Sequence, residues 1–364
     1  MTPPRDARTP RRRAFAAAHI VVDPWSTDFD TCLIDWRATL RFRHHLWSHG
    51  LGVAEAMDTA QRGAGLDWPH ALELIRATAS EAPSGSLLAC GAGTDHLPPE
   101  STPTLRDIIT AYEMQCDEIE RAGAQVIMMA SRALARVARG DEDYAEVYGT
   151  ILSQLRKPAI LHWLGPMFDP ALAGYWGSAD IDAAMRSCLD VIRANAGKVD
   201  GVKISLLDAN HEIKMRRALP PGVRMYTGDD FNFPALIRGD AHGHSDALLG
   251  VFDPLAAIAS QAFAALDRGD DDGFSDILEP TIPLARKLFE APTRYYKTGV
   301  VFLAYLSGRQ DHFVMAGGQQ GARSWKHLCD VYRLACAIEL FAEPGIAAHR
   351  FKKALAAHNL DLPS

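Results

Sequence analysis

The stretch DGVKISLLD, residues 200–208, sets one lysine among apolar residues. Period-2 alternation sends Val202 and Ile204 to one face of a strand and Gly201, Lys203 and Ser205 to the other. An amine withdrawn from water has a depressed pKa and a larger share of its free base, which attacks a carbonyl and forms a Schiff base. The competing use of Lys203 is a strand-end lysine that reaches solvent or pairs with a carboxylate. A group able to move protons is His162 in ILHWLG, on alternation with Ile160 and Leu164. A neutral imidazole near pH 7 suits general acid–base work; the alternative is a core histidine bonded to backbone. His44, His45 and His49 also gather, with 45 and 49 at i, i+4 spacing. No H-E-x-x-H pattern accompanies them, so a metal pair there competes with plain surface packing.

Such side chains need rigid strands behind them. Apolar, β-rich runs occur at 16–23, 51–57, 86–93, 124–131, 158–165, 200–207, 223–230 and 245–252. Helix-period segments lie between them, among them LRDIITAYEMQCDEIERAG, which ends on Gly123 just past its last turn. Eight strands, each followed by a helix, predict an α/β chain folded as a (β/α)8 TIM barrel over 14–270. An open doubly wound sheet is the rival, but no G-x-G-x-x-G follows the first strand. Residues 273–290, 294–307, 323–341 and 344–358 are helical in period, so 271–364 reads as a carboxyl-terminal helical extension.

Bulk composition narrows the function. The chain has 364 residues, 48% hydrophobic and 23% charged, with a net charge of −7, which argues against a nucleic-acid partner. No stretch reaches the roughly 18 uninterrupted apolar residues of a membrane helix, so no membrane partner is expected. Arg11, Arg12 and Arg13 resemble the start of an export signal, but AFAAAHIVVDPW is soon interrupted by His19 and Asp23 and reads as a first strand. Six cysteines (32, 90, 116, 188, 329, 336) form no CxxC pair, as in reduced, mostly buried cysteines of a cytoplasmic protein.

GVKIS at the sixth strand, YTGDD (226–230) at the seventh and the Gly-His-rich approach to the eighth resemble the dihydrodipicolinate synthase and N-acetylneuraminate lyase superfamily. AHIVVDPW, GAGTD (91–95), AGAQVIMMAS (122–131) and LFEAPTRYYK (288–297) fall in register with that family's first, third and fourth strands and its helical extension. The resemblance spans residues 14 to 310 and marks a divergent branch. It implies a lyase of the class I aldolase type, acting through a covalent imine on Lys203, with no separate cofactor. It also implies a small carbonyl substrate and a homo-oligomer.

Two departures alter that picture. Where the family reads G-T-T-G-E and holds a substrate carboxylate, this chain has Met57-Asp58-Thr59-Ala60-Gln61. Thr59 is kept, while Asp58 would repel a carboxylate. Where the family reads T-P-Y-Y with a relay tyrosine, this chain has Ser131-Arg132-Ala133-Leu134. Pyruvate recognition and the tyrosine relay are therefore not carried over, and aldol cleavage or dehydration of a sugar-derived keto compound is expected instead. Catalysis is assigned to Lys203 and His162, with Thr59 and Ser131 as secondary relays. Substrate binding is assigned to Asp58, Arg132, Asp229, Asp230 and His244. Arg132 could instead pair with an acid in ARGDEDY, and Asp229 with Asp230 could instead cap the helix begun by DDFNFPALI. A metal-dependent sugar isomerase or aldolase is a second reading, with Asp23, Glu55, Asp58, His162 and Asp229 as donors. A sugar-acid binding protein that has lost catalysis is the third.

Overall fold

The computed structural model describes residues 12–25 and 34–360; Arg11 and Cys32 lie outside them. Strands β1 (Ala14–Ala17), β2 (Gly52–Glu55), β3 (Leu88–Ala92), β4 (Gln125–Met129), β5 (Ala159–Leu164), β6 (Val199–Ser205), β7 (Arg224–Thr227) and β8 (Asp246–Leu249) form a closed barrel in chain order. All neighbours are parallel, and β8 pairs with β1 to close the ring. Each predicted strand overlaps one of these. The first is the most displaced: pairing with β2 and β8 ends near Ala17, and beyond it Val22 makes only an isolated bridge to Ile34.

Helices on the outside of the barrel are α1 (Trp36–Ser48), α2 (Trp68–Glu81), α3 (Leu105–Arg121), α4 (Arg132–Val137), α5 (Asp141–Gln154), α6 (Ile181–Ala194), α7 (Ala209–Ala218), α8 (Phe233–Arg238) and α9 (Ala256–Asp267). The extension adds α10 (Asp271–Leu278), α11 (Ile282–Leu288), α12 (Tyr296–Leu306), α13 (Trp325–Ala337) and α14 (Pro344–Ala356). The segment 273–290, read as one helix, is split because Pro280 and Pro283 cannot donate within it. Among the described residues no helix is long and apolar enough to cross a membrane.

Strand alternation sorts the side chains into two layers. Phe15, Ala54, Ala89, Ile127, Ile160, Tyr226 and Leu248 pack on one another inside the barrel. Leu161, Trp163, Val202 and Ile204 face outward and join the core shared with α3, α5 and α6. Gly201 is required inside: a methyl there would fall 2.6 Å from the Tyr226 ring. Below that ring an ionic floor closes the amino-terminal end. Tyr226 donates to Asp200 at 2.6 Å, Arg13 reaches Asp200 at 2.9 Å, and Arg224 reaches Asp246 at 2.8 Å. Arg12 and Arg13 of the basic run are thus part of the fold: Arg12 Nε donates to the Ile237 carbonyl, and the Arg13 amide to Asp246. The extension packs on β1, β2 and β8, with Phe302, Leu328 and Phe351 in one core with Ala16, Val53 and Leu249.

Candidate active site

Lys203 lies on the inner face of β6, two residues from the strand's carboxyl end, beside His162 of β5 and Tyr226 of β7. It is buried, 7% exposed. Gly228 makes room for it: a methyl there would stand 2.8 Å from Lys203 Cε and closer still to Ser205 Oγ. Burial pushes the amine down to about 8, although the charges of Asp230 and Asp58 pull the other way. Asp230 moves oppositely: burial raises its carboxyl, with the Lys203 charge and a bond from the Val251 amide (2.9 Å) opposing. The two groups line one cavity and titrate as a pair, each charge favouring the other.

His162 also faces inward, since its neighbours Leu161 and Trp163 pack among the outer helices. Its Nε2 lies 3.2 Å from Ser205 Oγ. Burial first, and the Lys203 charge second, hold it well below the ordinary imidazole range, so it is neutral. Lys203, His162, Asp58, Thr59, Ser205 and Asp230 line one cavity. Its free volume is about 20 Å³, room for about one water. Phe168, Phe289 and Tyr296 supply the aromatic part of its wall. Phe289 and Tyr296 stack at 4.3 Å, and Phe168 meets both edge-on. A carbonyl compound larger than water enters only if these side chains move apart.

The turn Asp58–Ala60 after β2 brings in two more groups. Thr59 Oγ1 lies 2.7 Å from the Tyr296 hydroxyl, and Lys297 Nζ lies 2.9 Å from Asp58 Oδ1. Asp58 is therefore not a bare charge facing the substrate; an ammonium from the extension already balances it. Tyr296 sits well above the usual phenol range, through burial and then the charge of Asp58, and so keeps its proton. Tyr296 and Lys297 were missed as site residues. The segment APTRYYK was visible in sequence, but nothing local says that it reaches a turn 237 residues earlier.

Four assigned residues are not in this cavity, and three of them have other partners. Ser131 Oγ accepts from the Leu134 amide at 3.0 Å, capping α4, and meets Thr94 Oγ1 at 2.6 Å. Of the two residues assigned as secondary relays, Thr59 pairs with Tyr296 at the cavity and Ser131 with Thr94 away from it. Arg132 is over half exposed and paired with Asp169, not with an acid of ARGDEDY. Asp229 accepts from the Phe231 and Asn232 amides at 2.8 and 3.1 Å, which holds the turn leading into α8 without capping the helix itself. His244 precedes β8, at the end of the barrel opposite Lys203. Of the donors considered for a metal, Asp58 and His162 share the cavity, and the others are engaged elsewhere. Glu55 faces outward into a bidentate pair with Arg43 at 2.8 Å, and Asp23 caps the Trp25 amide. Among the described residues no three His, Cys, Asp or Glu side chains converge on one point. His45 and His49 stack edge to face at 4.6 Å; burial pushes both down.

Comparison with known proteins bears on this geometry. The family model described as "Protein of unknown function (DUF993)" matches residues 2–360. The chain belongs to the DUF993 family. No curated protein matches its sequence. Its fold is that of dihydrodipicolinate synthase structures. The enzyme from Oceanobacillus iheyensis superposes with a TM-score of 0.67 at 16% identity, over 90% of this chain and 97% of that one. YagE, a prophage protein of the same family from E. coli K12 solved with pyruvate, gives 0.70 at 12%, over 91% and 99%. The synthase from Bacteroides thetaiotaomicron gives 0.67 at 14%, over 90% and 99%. The resemblance read from GVKIS and YTGDD is thus matched by the whole barrel of this DUF993 chain.

Proposed function

We propose that this DUF993 protein is a Schiff-base lyase, cleaving, condensing or dehydrating a sugar-derived keto compound on Lys203. The observation that carries the reading is a single lysine, buried on the inner face at the carboxyl end of a barrel strand, with its amine pushed down to about 8. The fold shared with dihydrodipicolinate synthases supports it.

The free amine of Lys203 attacks the carbonyl carbon, and the carbinolamine loses water to give an iminium ion. In the cleavage direction a base removes the proton from the hydroxyl on the β carbon. The Cα–Cβ bond then breaks, a carbonyl product departs, and the electron pair moves into an enamine. Protonation at the α carbon restores the iminium, and water releases the second product and the amine. In dehydration the base takes the α proton instead, and the β hydroxyl leaves as water. His162 is the base in this reading: it is neutral and next to Lys203 in strand register. Its imidazolium would be more acidic than a free one in the same surroundings and would return the proton. The Thr59–Tyr296 pair passes protons along hydroxyls, as Tyr296 holds its own.

Borohydride reduction of the full chain with a panel of keto sugars and keto acids, read by intact mass, tests the reading. A single stable adduct is expected, lost in Lys203→Ala while the far-UV spectrum stays unchanged. An adduct of equal yield in Lys203→Ala, or none with any compound, defeats it.

A further inference from the structure

The charges around Lys203 are already balanced. Asp58 is matched by Lys297 at 2.9 Å, and Asp230 and Lys203 line the same cavity and feel each other's charge. Among the thirteen residues lining the cavity Lys203 carries the only cationic side chain, since His162 is held neutral. A substrate carboxylate would thus bring an unbalanced negative charge into a buried space that already holds two acids. The penalty is heavy where water is excluded. The turn Asp58–Ala60 is three residues long, too short to offer an anion a helix dipole.

The same wall holds a buried acceptor that lacks a donor. Asp58 Oδ2 is buried without a hydrogen-bond partner. Asp230 receives one bond, from the Val251 amide, on a single oxygen. Ser205 Oγ faces His162. Carboxylate oxygens without donors are satisfied by substrate hydroxyls, each of which brings one proton and no charge.

We propose that this pocket takes an uncharged polyhydroxylated carbonyl compound, a keto sugar or hydroxyketone, and discriminates against 2-keto acids, with Asp58 and Asp230 accepting its hydroxyls. The proposal rests on the Schiff-base reading of Lys203 and names its substrate class.

The probes are dihydroxyacetone, neutral and hydroxylated, and pyruvate, a keto acid of similar size. Each is reduced onto the full chain with borohydride at pH 8 and quantified by intact mass, with Lys203→Ala as the background. Dihydroxyacetone should be trapped on Lys203 at least about tenfold faster than pyruvate. Asp58→Thr removes an acceptor and frees the Lys297 ammonium, so it should move the ratio about tenfold toward pyruvate. Pyruvate trapped on Lys203 as fast as dihydroxyacetone overturns the substrate class and leaves the lyase reading intact. An unchanged ratio in a folded Asp58→Thr protein overturns the role of Asp58. Trapping of neither probe on Lys203, nor of any other carbonyl compound, overturns the Schiff-base reading itself, and the substrate class with it.

Discussion

Lys297 Nζ stands 2.9 Å from Asp58 Oδ1, which ties the first residue turn of α12 to the end of β2. Lys297 is nearly buried and also donates to the Arg294 carbonyl at 3.0 Å. Removing it with Lys297→Met strands the Asp58 charge beside Lys203 and Tyr296. Denaturant unfolding should show a loss of about 2–3 kcal/mol, as for a largely buried pair deprived of one partner. The double variant Asp58→Asn/Lys297→Met should recover most of it. If the single variant unfolds at the wild-type midpoint, the pair has no structural weight.

His162→Gln keeps the size and the polar reach toward Ser205 but cannot take a proton. Imine trapping should persist, while steady-state turnover of whichever panel compound is consumed should fall by about 10² to 10⁴. A variant that turns over near the wild-type rate, with an unchanged pH profile, assigns His162 to packing.

The pH dependence of trapping follows from the two opposed shifts. Free amine is the reactive form, so the rate should rise with pH through an inflection near 8 and then level off. Asp230 is the larger of the charges that hold the Lys203 ammonium in place. Asp230→Asn removes it, and the inflection should move to lower pH. Because the two groups titrate as a pair, the quantity to compare is the whole profile. An inflection that stays put or moves upward contradicts the assignment.

Glu212 makes a prediction about stability alone. Its Oε1 accepts from Ser245 at 2.7 Å, its Oε2 is buried without a partner, and burial raises its carboxyl to about 8. A carboxyl raised on folding contributes stability that is fully present below its unfolded pKa, about 4.3, and lost as pH rises through 8. Between those limits the loss is at most about 1.4 kcal/mol per pH unit. Melting curves at pH 5 and pH 8 should show the decline in the wild type and a flatter profile in Glu212→Gln. Equal slopes in the two proteins would falsify the account.

The barrel was legible because its signals are local. Eight short apolar runs, each bounded by helix-period segments, mark eight buried strands, and alternation within GVKIS and ILHWLG orients Lys203 and His162 without any distant contact. Asp229 and Ser131 show the limit of the same logic. Both sit at strand ends where a barrel holds its chemistry, yet Ser131 spends its oxygen on the Leu134 amide of α4 and Asp229 on the Phe231 and Asn232 amides of the turn before α8. DDFNFPALI placed Asp229 at the approach to a helix, though it holds the preceding turn and not the cap, whereas Arg132 found its acid at Asp169, in a loop that nothing in its own neighbourhood points to. Tyr296 and Lys297 were hidden for a related reason. Their partners, Thr59 and Asp58, are brought near by the closure of the barrel and the return of the extension across it.

That return has a consequence for synthesis. The strands that carry Lys203 and His162 are complete once residue 249 has left the ribosome, but Phe289, Tyr296 and Lys297 have not yet been added. Without them the amine would be more open to water and Asp58 would lack its ammonium partner, an environment that favours the protonated lysine. A nascent chain paused there would hold its nucleophile in the unreactive ammonium form, safe from the aldehydes of the cell. Reactivity would switch on only when the last quarter of the chain settles over the mouth.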